Sequence, residues 1–291
     1  MRRRVVVVAI IIGAGAALAL VVRQVWLHDT AREVSTEEAV HRFRDHVAAT
    51  LPTTLPTTSA ATVPVTTVPV TTVPVTTVPV TTVPTQAQAL PEPGVYRYAT
   101  TGGEQVDTLG GADHTYPVET TITVTREDCG VRLRWDVLRE RHEEWRLCLG
   151  PNGVGLQTTG TSFHEFFQHG QLEQLVCARD ALLVPADHRP RKPVAMGCHL
   201  DADEYLPVYE VLETGTRTVE GAAVAVTHVR MTVEMPGPFF EHTTFDYWLD
   251  DHGLPVWMAE KKISRSAAEI VGSVTYTEEF TAALASLTPL E

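Results

Sequence analysis

Val131-Arg132-Leu133-Arg134-Trp135-Asp136-Val137 alternates an apolar residue with a charged one at every step. Successive side chains of a strand point to opposite sides of its sheet, so a period of two marks a strand with one face in a core and the other in water. The pattern recurs outward from this stretch. In Val118-Glu119-Thr120-Thr121-Ile122-Thr123-Val124 the even positions are mainly apolar, and Val229, Met231, Val233 and Met235 alternate with Arg230, Thr232 and Glu234. Turn-forming residues fall between such runs. Glu220-Gly221 joins two late strands, and Asp250-Asp251-His252-Gly253 joins the strand through Phe245 and Tyr247 to the one through Val256 and Met258. Val271 to Tyr276 reads as a further strand, and Gly170 to Ala178 as a short turn of helix. The expected fold is mainly β. Residues 90–291 form one domain with a large, strongly curved antiparallel sheet, a half-barrel-like meander; a chain of some two hundred residues is ample for one core.

Upstream, Val63 to Thr82 is the pentapeptide Val-Pro-Val-Thr-Thr four times over. Proline fixes its own φ, biases the preceding Val to extended conformations and removes ladder donors, so neither helix nor sheet can use the run. Residues 50–89 therefore read as a Pro/Thr/Val-rich stalk, in which the segment from Thr50 to Thr85 could reach roughly 110 Å if extended as polyproline II. Its composition suits O-glycosylation, or an unmodified linker. Asn152, the one Asn, precedes Gly153-Val154, so no N-glycosylation acceptor exists.

Residues 1–28 carry Arg2, Arg3 and Arg4 and then an uncharged apolar run from Val5 to Val22. The length suits a membrane-spanning helix, and the leading arginines put the N-terminus in the cytoplasm. A cleaved signal peptide is the competing reading, since Ala14-Gly15-Ala16 and Ala17-Leu18-Ala19 fit a small-x-small site. Either way the expected location of the C-terminal domain is outside the cytoplasm, on a single-pass signal anchor in the first reading. Residues 29–49 read as a juxtamembrane amphipathic helix. Ser35-Thr36-Glu37-Glu38 starts it and Val40, Phe43 and Val47 form its apolar stripe. It is either a solvated spacer or a helix that meets a partner or the membrane surface.

Beyond residue 89 lie 31 acidic and 16 basic residues, a net charge of −15 against −13 for the whole chain. Such a field disfavours nucleic acid and anionic lipid. Cys129, Cys148, Cys177 and Cys198 all lie in the exported part, and an even count in an oxidising compartment favours two disulfides. Cys129 with Cys148 and Cys177 with Cys198 are the local choices among three connectivities. Strand parity opposes the first pair unless a bulge at Gly130 corrects it. His164 and His169 stand five apart, where a zinc-protease helix needs four, and Asp201, Asp203 and Glu204 lack the Gly and Glu that complete a calcium loop. No metal, no cofactor and no Ser, His and acid set with a nucleophile's context is evident, and no enzyme activity is expected.

The run of Val208-Tyr209-Glu210-Val211, Val219-Glu220-Gly221, Asp246-Tyr247-Trp248-Leu249, Gly253-Leu254-Pro255-Val256 and Val274-Thr275-Tyr276-Thr277-Glu278 resembles the layout of uncharacterised single-span envelope proteins of actinobacteria. More distantly the meander resembles half-barrel lipoprotein carriers of the LolA and LppX type. That resemblance implies a curved sheet holding acyl chains in an apolar hollow, and it carries no functional residue over. Two functions follow as expectations. One is a membrane-anchored module that holds a lipid or other hydrophobic ligand against Trp135, Trp145, Phe245, Tyr247, Trp248 and Trp257. The other is a non-catalytic module for an envelope protein partner, displayed by the stalk.

Overall fold

Alternating sequence becomes one continuous antiparallel sheet. The computed structural model describes residues 29–50 and 89–291, except 108–110, 179–180, 201–202, 238–239 and 269–271. The expected membrane-spanning stretch and the repeat lie outside these residues; among the described residues no helix is long and apolar enough to cross a membrane. One helix, α1 (Thr36–Thr50), precedes β1 (Gly94–Val106), β2 (Ala112–Thr115), β3 (Glu119–Glu127), β4 (Gly130–Asp136), β5 (Arg141–Gly150), β6 (Gly153–Phe166), β7 (His169–Cys177) and β8 (Ala181–Pro185). Then come β9 (Arg191–Ala195), β10 (Cys198–Leu200), β11 (Asp203–Tyr205), β12 (Val208–Val219), β13 (Ala222–Met235), β14 (Phe240–Leu249), β15 (Pro255–Ala268) and β16 (Gly272–Leu284).

Fourteen strands pair in the order β11-β10-β7-β6-β5-β4-β3-β1-β16-β15-β14-β13-β12-β9, with β2 on β1 and β8 on β6. The sheet curls into a half-barrel, and cross-sheet contacts show how tightly. Tyr205 on β11 is ten strand spacings from Glu241 on β14, about 48 Å on a flat sheet at about 4.8 Å per strand. Its hydroxyl nonetheless donates to Glu241 Oε1 at 3.1 Å. Bulges between Trp145 and Leu147, Val211 and Glu213, and Trp248 and Leu249 add local twist.

The inner face holds the core, with Tyr98, Ile122, Leu133, Trp135, Leu147, Met258 and Phe280 among its fully buried side chains. Glu220 and Gly221 both have positive φ, 50° and 82°, and make the two-residue turn between β12 and β13 that the sequence suggests. The helix expected at Gly170–Ala178 is instead strand β7. Its hairpin with β6 turns on Phe167 and Gln168, at φ 53° and 63°, neither of which signals a turn. Burial of the Phe167 ring and a 3.0 Å bond from its N–H to Asp29 Oδ1 hold that conformation in place of local propensity.

Both disulfides have the local connectivity, with Cα separations of 5.2 Å for Cys129–Cys148 and 3.8 Å for Cys177–Cys198. Parity does not obstruct the first. Cys129 sits in the turn between β3 and β4, where strand alternation has ended.

Residues 29–50 are docked on the domain. Ser35 caps α1, its Oγ accepting from Glu38 N–H at 3.2 Å, and the helix buries Ala39 and Phe43 against Val95 of β1. Val47 of the expected stripe is exposed. Polar contacts fix the rest. Arg42 pairs with Asp136 at 2.9 Å, Arg32 N–H donates to Glu140 at 2.8 Å, and Glu33 bridges Leu138. The folded body thus includes chain from before and after the repeat. With a protease site inserted between two copies of the repeat, the cut halves are expected to co-elute under native conditions and to separate only in denaturant. Separation in plain buffer would contradict the docking.

Candidate functional site

The inner face is layered. Toward one end of the strands it is apolar; across the middle runs a band of charges with no counterpart in ordinary sheet cores, where ionised groups are almost never fully buried unless paired. Registry builds the band. Glu104 on β1 faces Glu278 on β16, which faces Lys262 on β15, which faces Thr243 on β14. On the other arm Arg141 and Glu143 of β5 face His164 and Ser162 of β6. The curl brings the arms together. Arg141 is four strands from β16, yet its Nη2 and Nε donate to Glu278 at 3.2 and 3.3 Å, and it also pairs with Glu143.

Each buried charge has a stated counterweight. Burial would raise the Glu278 pKa, but the Arg141 guanidinium overcomes it and holds the carboxyl below its ordinary value. Burial acts on Glu104 in the same direction, and bonds from His114 (2.8 Å) and His164 (3.1 Å) reverse it, bringing its pKa down to about 2. His114 loses by burial and gains more from Glu104 and from Asp29, 3.0 Å from its Nε2, so its pKa is raised. Tyr116 and Tyr276 are pushed up mainly by burial; Tyr116 donates to Glu278, and the single Tyr276 hydroxyl proton lies between Glu278 at 2.7 Å and Glu104 at 2.8 Å. Glu260 differs. Its Oε2 is buried with no hydrogen-bond partner among the described residues, and burial, then the charges of Glu278 and Glu143, raise its pKa well above the usual range. Among the described residues Lys262 forms no ion pair; its ammonium faces the Tyr276 ring at 5.7 Å.

Two hollows meet at this band. One of about 140 Å³ has an apolar floor that includes Trp145, Leu156, Leu175, Met231 and Tyr247 and a polar wall that includes Ser162, Glu143, Glu144, Glu173, Glu260 and Lys262. The other, about 680 Å³, opens past His164, Phe166, Phe240 and Arg265. They share Glu173, Leu200, Tyr205 and Lys262 in their walls. The larger has the size of ordinary small-molecule sites.

Of the six aromatic residues named from sequence, Trp145, Phe245 and Tyr247 line the smaller hollow. Trp135 is packed into the core, its ring 4.4 Å from that of Phe280 and its indole N–H on Thr120. Trp248 and Trp257 pair with each other on the opposite face, beneath Arg217 at 4.3 and 4.8 Å. Neighbours in a strand cannot share a face, so Tyr247 inside places Trp248 outside. His164 lies on the inner face of β6 while His169 is exposed at the start of β7. Asp203 and Glu204 belong to β11; Asp201 is outside the described residues. Sequence reading missed Glu104, Arg141, Ser162, Glu260, Lys262 and Glu278. A signal existed: Glu260 and Lys262 share the parity of Met258, and Glu278 that of Phe280 and Ala282. No protein-family model, no curated protein and no solved structure matches this chain.

Proposed function

We propose that this chain is a membrane-anchored, extracytoplasmic binding module for an amphipathic small molecule such as a lipid. The observation that carries the reading is the junction of an apolar-floored hollow with a larger cleft at a wall bearing the Lys262 ammonium, near a Glu260 carboxyl whose Oε2 is buried with no hydrogen-bond partner among the described residues. An apolar chain lies against Trp145, Leu175 and Met231, and a carbonyl-bearing head meets the Lys262 ammonium. Disulfides and the apolar run at residues 5–22 support export and anchoring. Because the folded body resumes at Asp29, soon after that run, the hollow is held close to the bilayer that would supply its ligand.

The test is native mass spectrometry of the full chain released from detergent, together with titration of a fluorescent fatty acid. The wild-type chain is expected to carry or take up one amphiphile. Leu200→Arg, on the short strand β10 where the hollows meet, is expected to weaken uptake at least about tenfold, the effect of about 1.4 kcal/mol. A wild-type chain with no co-purifying lipid and no fatty-acid uptake would overturn the reading.

A further inference from the structure

Three inner-face side chains form a relay that holding a ligand does not require. Ser162 Oγ lies 3.0 Å from His164 Nε2, and His164 Nδ1 lies 3.1 Å from Glu104 Oε2. Ser162 and His164 are two apart on β6, so they share a face, and the curl delivers Glu104 from β1. Glu104 is fully buried at its side chain and held from two further directions, by His114 Nδ1 at 2.8 Å and the Tyr276 hydroxyl at 2.8 Å. As a fixed acceptor it accepts a hydrogen bond from His164 Nδ1–H, which keeps the proton on Nδ1 and leaves Nε2 free to accept from the Ser162 hydroxyl. Tyr276 also lies 3.2 Å from Nδ1, and its own proton goes to a carboxylate. Ser162 lines the apolar-floored hollow and His164 the larger cleft, so the hydroxyl meets one space and the base the other.

We propose that Ser162 is a nucleophile toward carboxylic esters of apolar-chain acids, with His164 as its general base and Glu104 as the residue that positions His164. This rests on the reading of the hollow as an amphiphile site: the acyl chain occupies the apolar floor and the alcohol portion extends into the cleft. Ser162 Oγ bonds to the carbonyl carbon while its proton passes to His164 Nε2. The ester C–O bond then breaks, and the alcohol departs with that proton. Water, activated by the same His164, cleaves the acyl-serine, releases the acid and restores the hydroxyl. The Arg141 guanidinium, which donates to Ser162 Oγ at 3.4 Å, is a fixed positive charge beside the developing oxyanion.

The full chain is treated with a long-chain fluorophosphonate and mapped by peptide mass spectrometry, and hydrolysis of p-nitrophenyl decanoate is followed in parallel. Phosphonylation at Ser162 is expected, with esterase activity abolished in Ser162→Ala and lowered about 100-fold or more in His164→Gln, the usual share of a general base. Glu104→Gln is expected to lower kcat and Glu104→Asp to restore part of it. A wild-type chain that takes up fluorescent fatty acid but is not labelled at Ser162 overturns this proposal and leaves the binding function standing. A chain that does neither overturns both. Labelling or hydrolysis unchanged in a Ser162→Ala chain that melts like wild type also overturns it.

Discussion

An Arg141→Met chain loses about 3–5 kcal/mol of folding stability, the scale for breaking a buried ion pair by removing one partner. Natural domains are stable by only about 5–15 kcal/mol, so this single change removes a large share of the total. The reason lies in what it leaves behind. Glu278 has no exposed side-chain surface and takes two bonds from Arg141, and Glu143 takes another. Methionine fills much of the volume but leaves those carboxylates without their cation. Adding Glu278→Gln to the same chain is expected to recover part of the loss, because the stranded charge is then gone. Urea unfolding at pH 7, with both disulfides intact, measures each term. A single-variant loss below about 1 kcal/mol would show that the band is not the electrostatic keystone its geometry describes.

Two carboxylates on the inner face pull the pH dependence of stability in opposite directions. For Glu104 the folded pKa, about 2, is below its ordinary 4.5, so its contribution is full above about pH 4.5 and is lost as pH falls toward 2. That loss is on the order of 3 kcal/mol. For Glu260 the folded pKa is raised, so below pH 4.5 both states are protonated and nothing is lost. As pH rises above 4.5 the unfolded carboxylate ionises while the folded one does not, and stability falls until the folded pKa is reached. Glu260→Gln is therefore expected to raise the melting temperature by several degrees at pH 8 and to leave it nearly unchanged at pH 4. Glu104→Gln is expected to lower it at pH 6 and to matter least near pH 2. Melting curves across this range check both signs; a Glu260→Gln chain no more stable at pH 8 than wild type would refute the upward shift at Glu260.

Strands with one wet face were legible because their signal is local: Val131 to Val137 and Val229 to Met235 carry the alternation in their own residues. The curvature was legible as a half-barrel-like meander, whereas the side chains that meet across ten strand spacings were not. The β6–β7 hairpin was hidden because Phe167 and Gln168 turn under tertiary compulsion, with Asp29 arriving from 138 residues away. The charged band was hidden for a different reason. A charge in an alternating run is ordinarily the wet position, so Glu260, Lys262 and Glu278 had to be read against their apolar neighbours of the same parity. The relay through Ser162 joins residues 60 apart in the chain, from His164 to Glu104, and no spacing rule reaches that far.

The docking of residues 29–50 changes what the repeat is to the fold. The described residues on either side of it, 29–50 and those from 89 on, belong to one body, so its length enters the energetics as a ring closure. Closure cost grows with the logarithm of length, about 0.6 kcal/mol for each doubling. Tandem pentapeptide copies are prone to gain and loss by slippage when their coding sequence is copied. At this position the domain's stability is nearly indifferent to such drift, so the copy number is free to vary while the half-barrel stays the same.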